Sequence, residues 1–234
     1  EVNLKNKLDK NKILFNDGKY SKAKDEFEYI IYNNPGSSVA LNAQYYFAES
    51  LYMLENYEKA SQEYDKFNML SQNSELIARS KFLICKCLYM LSSDSNKDQS
   101  QTTFTIDRIQ YFLEEYPATG HKDECESMIK DLRTKLAKKE IDAAKLYLRI
   151  EKYDSALIYF DLIMVEYYDT IYFDEALINI VLTHVLKDEI KVAEAFLNDN
   201  KEKILFDETF KKAKNILEDG KGGLNMNKYY KFSQ

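Results

Sequence analysis

Two histidines and three cysteines hold most of the latent reactive chemistry of this chain. His184 stands four residues before Asp188, a spacing that brings two side chains to one helix face. A histidine–carboxylate pair does nucleophilic work only with a nucleophile in reach. None is in view near this pair, and His121 is isolated, so both histidines read as structural or solvent-facing. Cys85 and Cys87 point to different faces of a helix and do not easily pair, and Cys125 lies in another segment. An odd count without framework spacing reads as free, mostly buried thiols. No phosphate loop, CxxC or HExxH pattern occurs. The many Asp and Glu residues are spread over what read as exposed helix faces. No catalytic residue, metal or cofactor is assigned, and the chain is not read as an enzyme.

What remains is recognition, and composition limits its kind. The 234 residues are 45% hydrophobic and 31% charged, enough for a sizeable core. No apolar run approaches the ~18 residues of a membrane span. A net charge of −6 argues against nucleic acid, which needs a basic face. Nineteen Tyr and 13 Phe with no Trp make an unusual aromatic load, suited to inter-helix packing and to a recognition surface. Gly18, Gly36, Gly120 and Gly220 fall between apolar-periodic segments, with Gly222 and Gly223 in the tail. Pro35 and Pro117 each close one segment and open the next. Such confinement predicts a nearly all-helical chain. The chain opens on Glu1 without an initiator Met or a signal-like run, as expected of a processed or trimmed form.

Apolar periodicity predicts helices over 3–16, 20–33, 38–54, 57–70, 74–91, 103–116, 121–150, 153–167, 172–187, 189–198 and 202–218. Ser37 or Ser38 is placed to cap the third. The polar stretch 92–101 reads as a surface loop without an apolar anchor. Residues 220–234 read as a flexible tail whose Tyr229, Tyr230 and Phe232 offer docking side chains.

The helices repeat. Leu-Tyr-Met-Leu occurs at 51–54 and at 88–91, 37 residues apart. One pattern recurs in the second helix of each pair: Tyr, a small residue at +3, an aromatic at +7 and a bulky apolar residue at +10. Its copies are Tyr20/Ala23/Phe27/Ile30, Tyr57/Ala60/Tyr64/Phe67 and Tyr153/Ala156/Phe160/Ile163. Residues 102–117 keep Ile109, Phe112 and Pro117 but carry Thr105 at the small position. The small residue lets paired helices approach, and the large ones fill the space to the next pair. Ala48 and Cys85 hold the small position in the first helices. This resembles the tetratricopeptide repeat. The implied fold is an all-α, right-handed superhelical array of about five hairpins, at approximately 1–36, 37–73, 74–118, 119–168 and 169–219.

The larger layout is more specific. Asp98 to Asp107 followed by Phe112-Leu113-Glu114-Glu115-Tyr116-Pro117, Leu132 to Glu140, Ala143 to Tyr147 with Tyr153, Asp169 to Tyr172 and Glu175-Ala176-Leu177 together resemble the BamD family. That family comprises outer-membrane lipoproteins of the β-barrel assembly machine, and the likeness covers roughly residues 10–190. It implies a scaffold on the periplasmic side of the outer membrane, lipid-anchored through a cysteine upstream of this chain. It implies docking on a BamA-like POTRA and barrel protein, contact with other assembly subunits, and capture of unfolded outer-membrane proteins by their C-terminal signals. The alternative is a generic repeat scaffold of the envelope or cytosol.

Repeat register nominates the sites. Asn42, Tyr45, Glu49 and Tyr52 stand beside Arg79, Phe82, Lys86 and Tyr89 as a peptide-binding groove. Aromatics mixed with cations suit an extended peptide ending in an aromatic residue and a carboxylate. Tyr147, Tyr153, Tyr159 and Tyr167 are nominated as a partner interface.

Overall fold

The computed structural model describes residues 2–204, 206–223 and 229. The described chain is built from eleven α-helices: α1 Val2–Asn16, α2 Tyr20–Asn33, α3 Ser38–Met53, α4 Tyr57–Leu70, α5 Ser74–Met90, α6 Ser100–Glu115, α7 Lys122–Arg149, α8 Tyr153–Glu166, α9 Phe173–Leu186, α10 Ile190–Asn200 and α11 Asp207–Lys221. A 3₁₀ turn, Lys201–Lys203, follows α10. No described helix is long and apolar enough to cross a membrane.

Four of the connections share one turn. After α1, α3, α7 and α9 the chain passes through a left-handed residue: Gly18 (φ 77°), Glu55 (59°), Glu151 (60°) and Asp188 (62°). Each N–H donates to the carbonyl three residues back (Phe15, Tyr52, Leu148, Val185), and the next N–H to the carbonyl five back (Leu14, Leu51, Tyr147, His184). This pair of hydrogen bonds satisfies the last carbonyls of the helix, and the chain reverses in three residues. Only Gly18 takes that φ without a Cβ penalty. In the other three turns the hydrogen bonds and helix docking offset the strain. At the far end of α9 the reversal also decides what His184 meets: its Nδ1 lies 2.8 Å from Glu189 Oε2, not against Asp188, which occupies the left-handed position.

The recurring pattern is the core. Ala23, Phe27, Ile30, Ala60, Tyr64, Ala156, Phe160 and Ile163 have no exposed surface, and Phe67 is 2% exposed. Tyr20, Tyr57 and Tyr153, which open each copy, are half-buried. Thr105 is also fully buried, its hydroxyl donating to Gln101 O at 2.7 Å, so a β-branched polar residue fits the small position once its hydroxyl is bonded. Caps fix the helix starts: Ser37 accepts from Ala40 N–H at 3.0 Å, and Asn73 accepts from Leu76 N–H at 3.1 Å.

Three sequence expectations change. Helix α6 begins at Ser100, and the loop before it is anchored: Gln99 is buried, its Oε1 accepting from Thr102 Oγ1 at 2.8 Å. The last helix begins at Asp207, not 202, because the 3₁₀ turn at Lys201–Lys203 intervenes. Gly220 is not a junction but lies inside α11, where a Cβ would collide with Val185 Cγ1 and stand 3.1 Å from Ile190 Cδ1. It is glycine because α11 packs against α9 there. Of the tail, Tyr230 and Phe232 lie outside the described residues.

The chain divides into two compact units, Glu1–Ser93 with Gln99–Ile129, and Asp94–Asp98 with Lys130–Gln234. Helix α7, 28 residues and about 42 Å long at 1.5 Å per residue, gives its first turns to the first unit and the rest to the second.

Candidate functional site

In the first unit, α3 and α5 bring most of the expected groove residues together. Glu49 is buried and accepts from the Tyr45 hydroxyl at 2.5 Å. Arg79 reaches the same carboxylate from α5, Nη2 to Oε1 3.4 Å, while its own side chain stays 60% exposed. About two turns further along α5, the Lys86 ammonium lies 5.9 Å from the Tyr52 ring and 5.6 Å from the Phe82 ring. Its ion pair is with Glu124 at 2.8 Å, a partner that no sequence signal linked to it. The Phe82 ring stacks on His121 at 3.8 Å and 5°, which accounts for that histidine structurally.

Depth differs among these residues. Tyr45 and Phe82 are buried, Tyr52, Lys86 and Tyr89 half-buried, and Asn42 and Arg79 exposed. Asn42 bonds within its own helix, Nδ2 to Ser38 O at 2.9 Å, and does not join the cluster. Tyr45 also packs edge-on against Phe67 and Tyr64, with ring centroids 5.3 and 6.1 Å away. Burial, reinforced by the Glu49 charge, pushes the Tyr45 and Tyr64 phenols well above the ordinary tyrosine value, so both stay protonated. Tyr45 therefore acts as a donor that fixes Glu49, and Glu49 holds Arg79 at the surface. The product is an oriented guanidinium and, further along α5, an ammonium near two aromatic rings, groups suited to a carboxylate and an apolar side chain.

The three thiols are free and buried. Burial raises Cys85 and Cys87 to about 12 and Cys125 to about 11, which leaves them unreactive as nucleophiles.

The expected interface tyrosines sit in the second unit. Tyr147, Tyr153, Tyr159 and Tyr167 are half-buried against its apolar core. Tyr147 and Tyr159 stack at 5.3 Å and 15°. Tyr167 lies under Arg133, whose guanidinium carbon is 5.7 Å from the ring centre. Arg133 grips Asp169 with Nε (3.0 Å to Oδ2) and Nη2 (2.7 Å to Oδ1), and Nη2 donates to Glu166 O at 2.6 Å. This clamp ties the end of α8 to α7. The guanidinium holds the Asp169 carboxyl below the usual carboxylate range. A depressed folded value contributes stability above the unfolded value, about 3.9, and loses it as pH falls through the folded one. Because the pair is partly exposed, Asp169→Asn is expected to cost about 1 kcal/mol near neutrality. Urea titrations at several pH values should show that difference closing as pH is lowered below about 3.9.

Paired helices with small-against-large packing define a helical-hairpin protein. The family model described as YfiO, Outer membrane lipoprotein, matches residues 9–198. The chain belongs to that family, and its place is the periplasmic side of the outer membrane. It is 30% identical over 191 residues to the outer membrane protein assembly factor BamD of Rickettsia prowazekii (strain Madrid E), an alignment covering 80% of this chain and 76% of that protein.

Proposed function

We propose that this chain is a non-enzymatic scaffold in outer-membrane protein assembly. Its helices form five tetratricopeptide hairpins in a right-handed superhelix, divided at approximately 1–36, 37–73, 74–118, 119–168 and 169–219. It is held at the membrane by an N-terminal lipid. Its C-terminal hairpins, around Tyr147, Tyr153, Tyr159 and Tyr167, dock a BamA-like POTRA and barrel protein alongside other assembly subunits. Its N-terminal face receives the C-terminal strand of unfolded barrel proteins.

Family membership supports the setting. The observation that carries the client-binding reading is the exposed Arg79 guanidinium, held by buried Glu49, which Tyr45 orients, with Lys86 near the Tyr52 and Phe82 rings further along α5. An arginine held by one oxygen retains donors for an incoming carboxylate, and the rings near Lys86 offer a seat for an aromatic side chain. A fluorescent peptide ending in Phe with a free carboxylate should bind the full chain in polarisation titrations. Arg79→Glu, or amidation of the peptide, should weaken binding about tenfold, the loss of one charge-assisted contact of roughly 1.4 kcal/mol. Equal affinity for the free and amidated peptides sinks this site.

A further inference from the structure

Helix α8 is apolar on two sides. One side is the core side of Ala156, Phe160 and Ile163. On the other, Ile158, Leu162 and Val165 recur at i, i+4 and i+7, and are 68%, 38% and 68% exposed. At 3.6 residues per turn they share with Asp161 one arc of about 100°, opposite the core residues. Single surface aliphatics are ordinary, but an aligned stripe has the form of half a helix–helix contact. Tyr153 and Tyr159, assigned above to the barrel partner, lie on this helix outside the arc. The stripe is a separate surface.

The charge around it is of one sign. Helix α8 carries Asp154, Asp161 and Glu166 and neither Lys nor Arg. Of the bases near it, Lys187 pairs with Asp154 and Glu189, and Arg133 with Asp169. His184 has its Nδ1 2.8 Å from Glu189. Asp161 enters no ion pair among the described residues. Partial burial pushes its carboxyl above the ordinary aspartate value, so a cation brought against it would restore the charged form. This charge chooses the occupant. A second copy meeting the stripe with its own would set acid against acid, and an anionic lipid surface would be repelled.

We propose that the outer face of α8 docks an amphipathic helix of a partner protein, with aliphatic residues along one side and a Lys or Arg set against Asp161. The aliphatic side chains cover Ile158, Leu162 and Val165, and the cation supplies the ion pair that Asp161 lacks within the described chain. The proposal is independent of the Arg79 face and of the client bound there.

A fluorescent Leu/Lys helix about five turns long, and a Leu/Glu helix of the same pattern, are titrated with the full chain and followed by polarisation. The Leu/Lys helix should bind about tenfold more tightly, the worth of one charge-assisted contact. Asp161→Lys should reverse that order. Ile158→Ser should weaken binding of the Leu/Lys helix, with far-UV dichroism unchanged in both variants because both positions are exposed. Glu114→Lys, at an exposed carboxylate on α6, makes the same change in net charge and should leave the order as it is. The proposal is overturned if the Leu/Lys helix does not bind, if Glu114→Lys acts as strongly as Asp161→Lys, or if Ile158→Ser changes nothing. It is equally overturned by a dimer of the unliganded chain in sedimentation, or by binding to phosphatidylglycerol vesicles, that Ile158→Ser abolishes. Those results would assign the face to a second copy or to a membrane.

Discussion

Phe160→Ala is expected to lower the unfolding free energy by about 3–5 kcal/mol, the usual cost of deleting a buried phenyl ring from a close-packed site. Phe160 has no exposed surface and belongs to a core that includes Ile141, Leu148, Ala156 and Ile163. The ring sits at the +7 position, between the small residue that sets helix approach and the bulky one that closes the gap. Helices joined by tight turns have little freedom to collapse into the void, which keeps the cost toward the upper end. Urea denaturation followed by far-UV dichroism measures it. Ile158→Ala on the same helix is the control: Ile158 is 68% exposed, so its removal should change stability by no more than about 0.5 kcal/mol. Equal losses for the two would mean that α8 presents a different face to the core.

The second large effect is a change of sign. Within an ordinary helix Gly→Ala stabilises by about 1 kcal/mol through backbone entropy. At position 220 the new methyl would collide with Val185 Cγ1. Gly220→Ala is therefore expected to destabilise by about 1–3 kcal/mol, the overpacking range. Val185→Ala opens the space, and in that background Gly220→Ala should recover the normal helical gain. A double-mutant cycle in urea isolates the coupling. Stabilisation by Gly220→Ala in both backgrounds would show that α9 and α11 do not approach here.

These two positions also mark what sequence discloses. Phe160 was legible because burial in a helix repeats with the helical period, and Tyr153, Ala156, Phe160 and Ile163 copy a spacing found twice before. The helix starts were legible where a cap is local, as at Ser37. Gly220 was not legible, because a glycine that permits a helix crossing and one that ends a helix look alike until the neighbour is known. The turns hid for a similar reason: Glu55, Glu151 and Asp188 adopt a conformation that glycine would advertise. In the first unit, register set Asn42, Tyr45, Glu49 and Tyr52 beside Arg79, Phe82, Lys86 and Tyr89 as two groups; it did not give the individual partners, which are Glu49 for Arg79, Tyr52 for Lys86 and Ser38 for Asn42. It did not give depth, since the burial of Tyr45 and Phe82 depends on side chains from α4, α6 and His121. Nor did it give Glu124, which meets Lys86 only through folding. In the second unit the four nominated tyrosines pack on one apolar core, with Tyr147 stacked on Tyr159, while the Arg133–Asp169 clamp over Tyr167 depends on contacts 36 residues apart.

The central claim is that this chain joins a barrel-inserting partner at the outer membrane. Its most direct test is co-purification from detergent-solubilised envelopes of the source organism, with the full chain as bait and mass spectrometry of the retained proteins. Retention of a barrel protein with POTRA domains, lost when Tyr147 and Tyr159 are both changed to charged residues, is the expected result. Reproducible absence of any such protein, while other envelope partners are retained, would contradict the assembly role and leave a helical-hairpin scaffold with a different client.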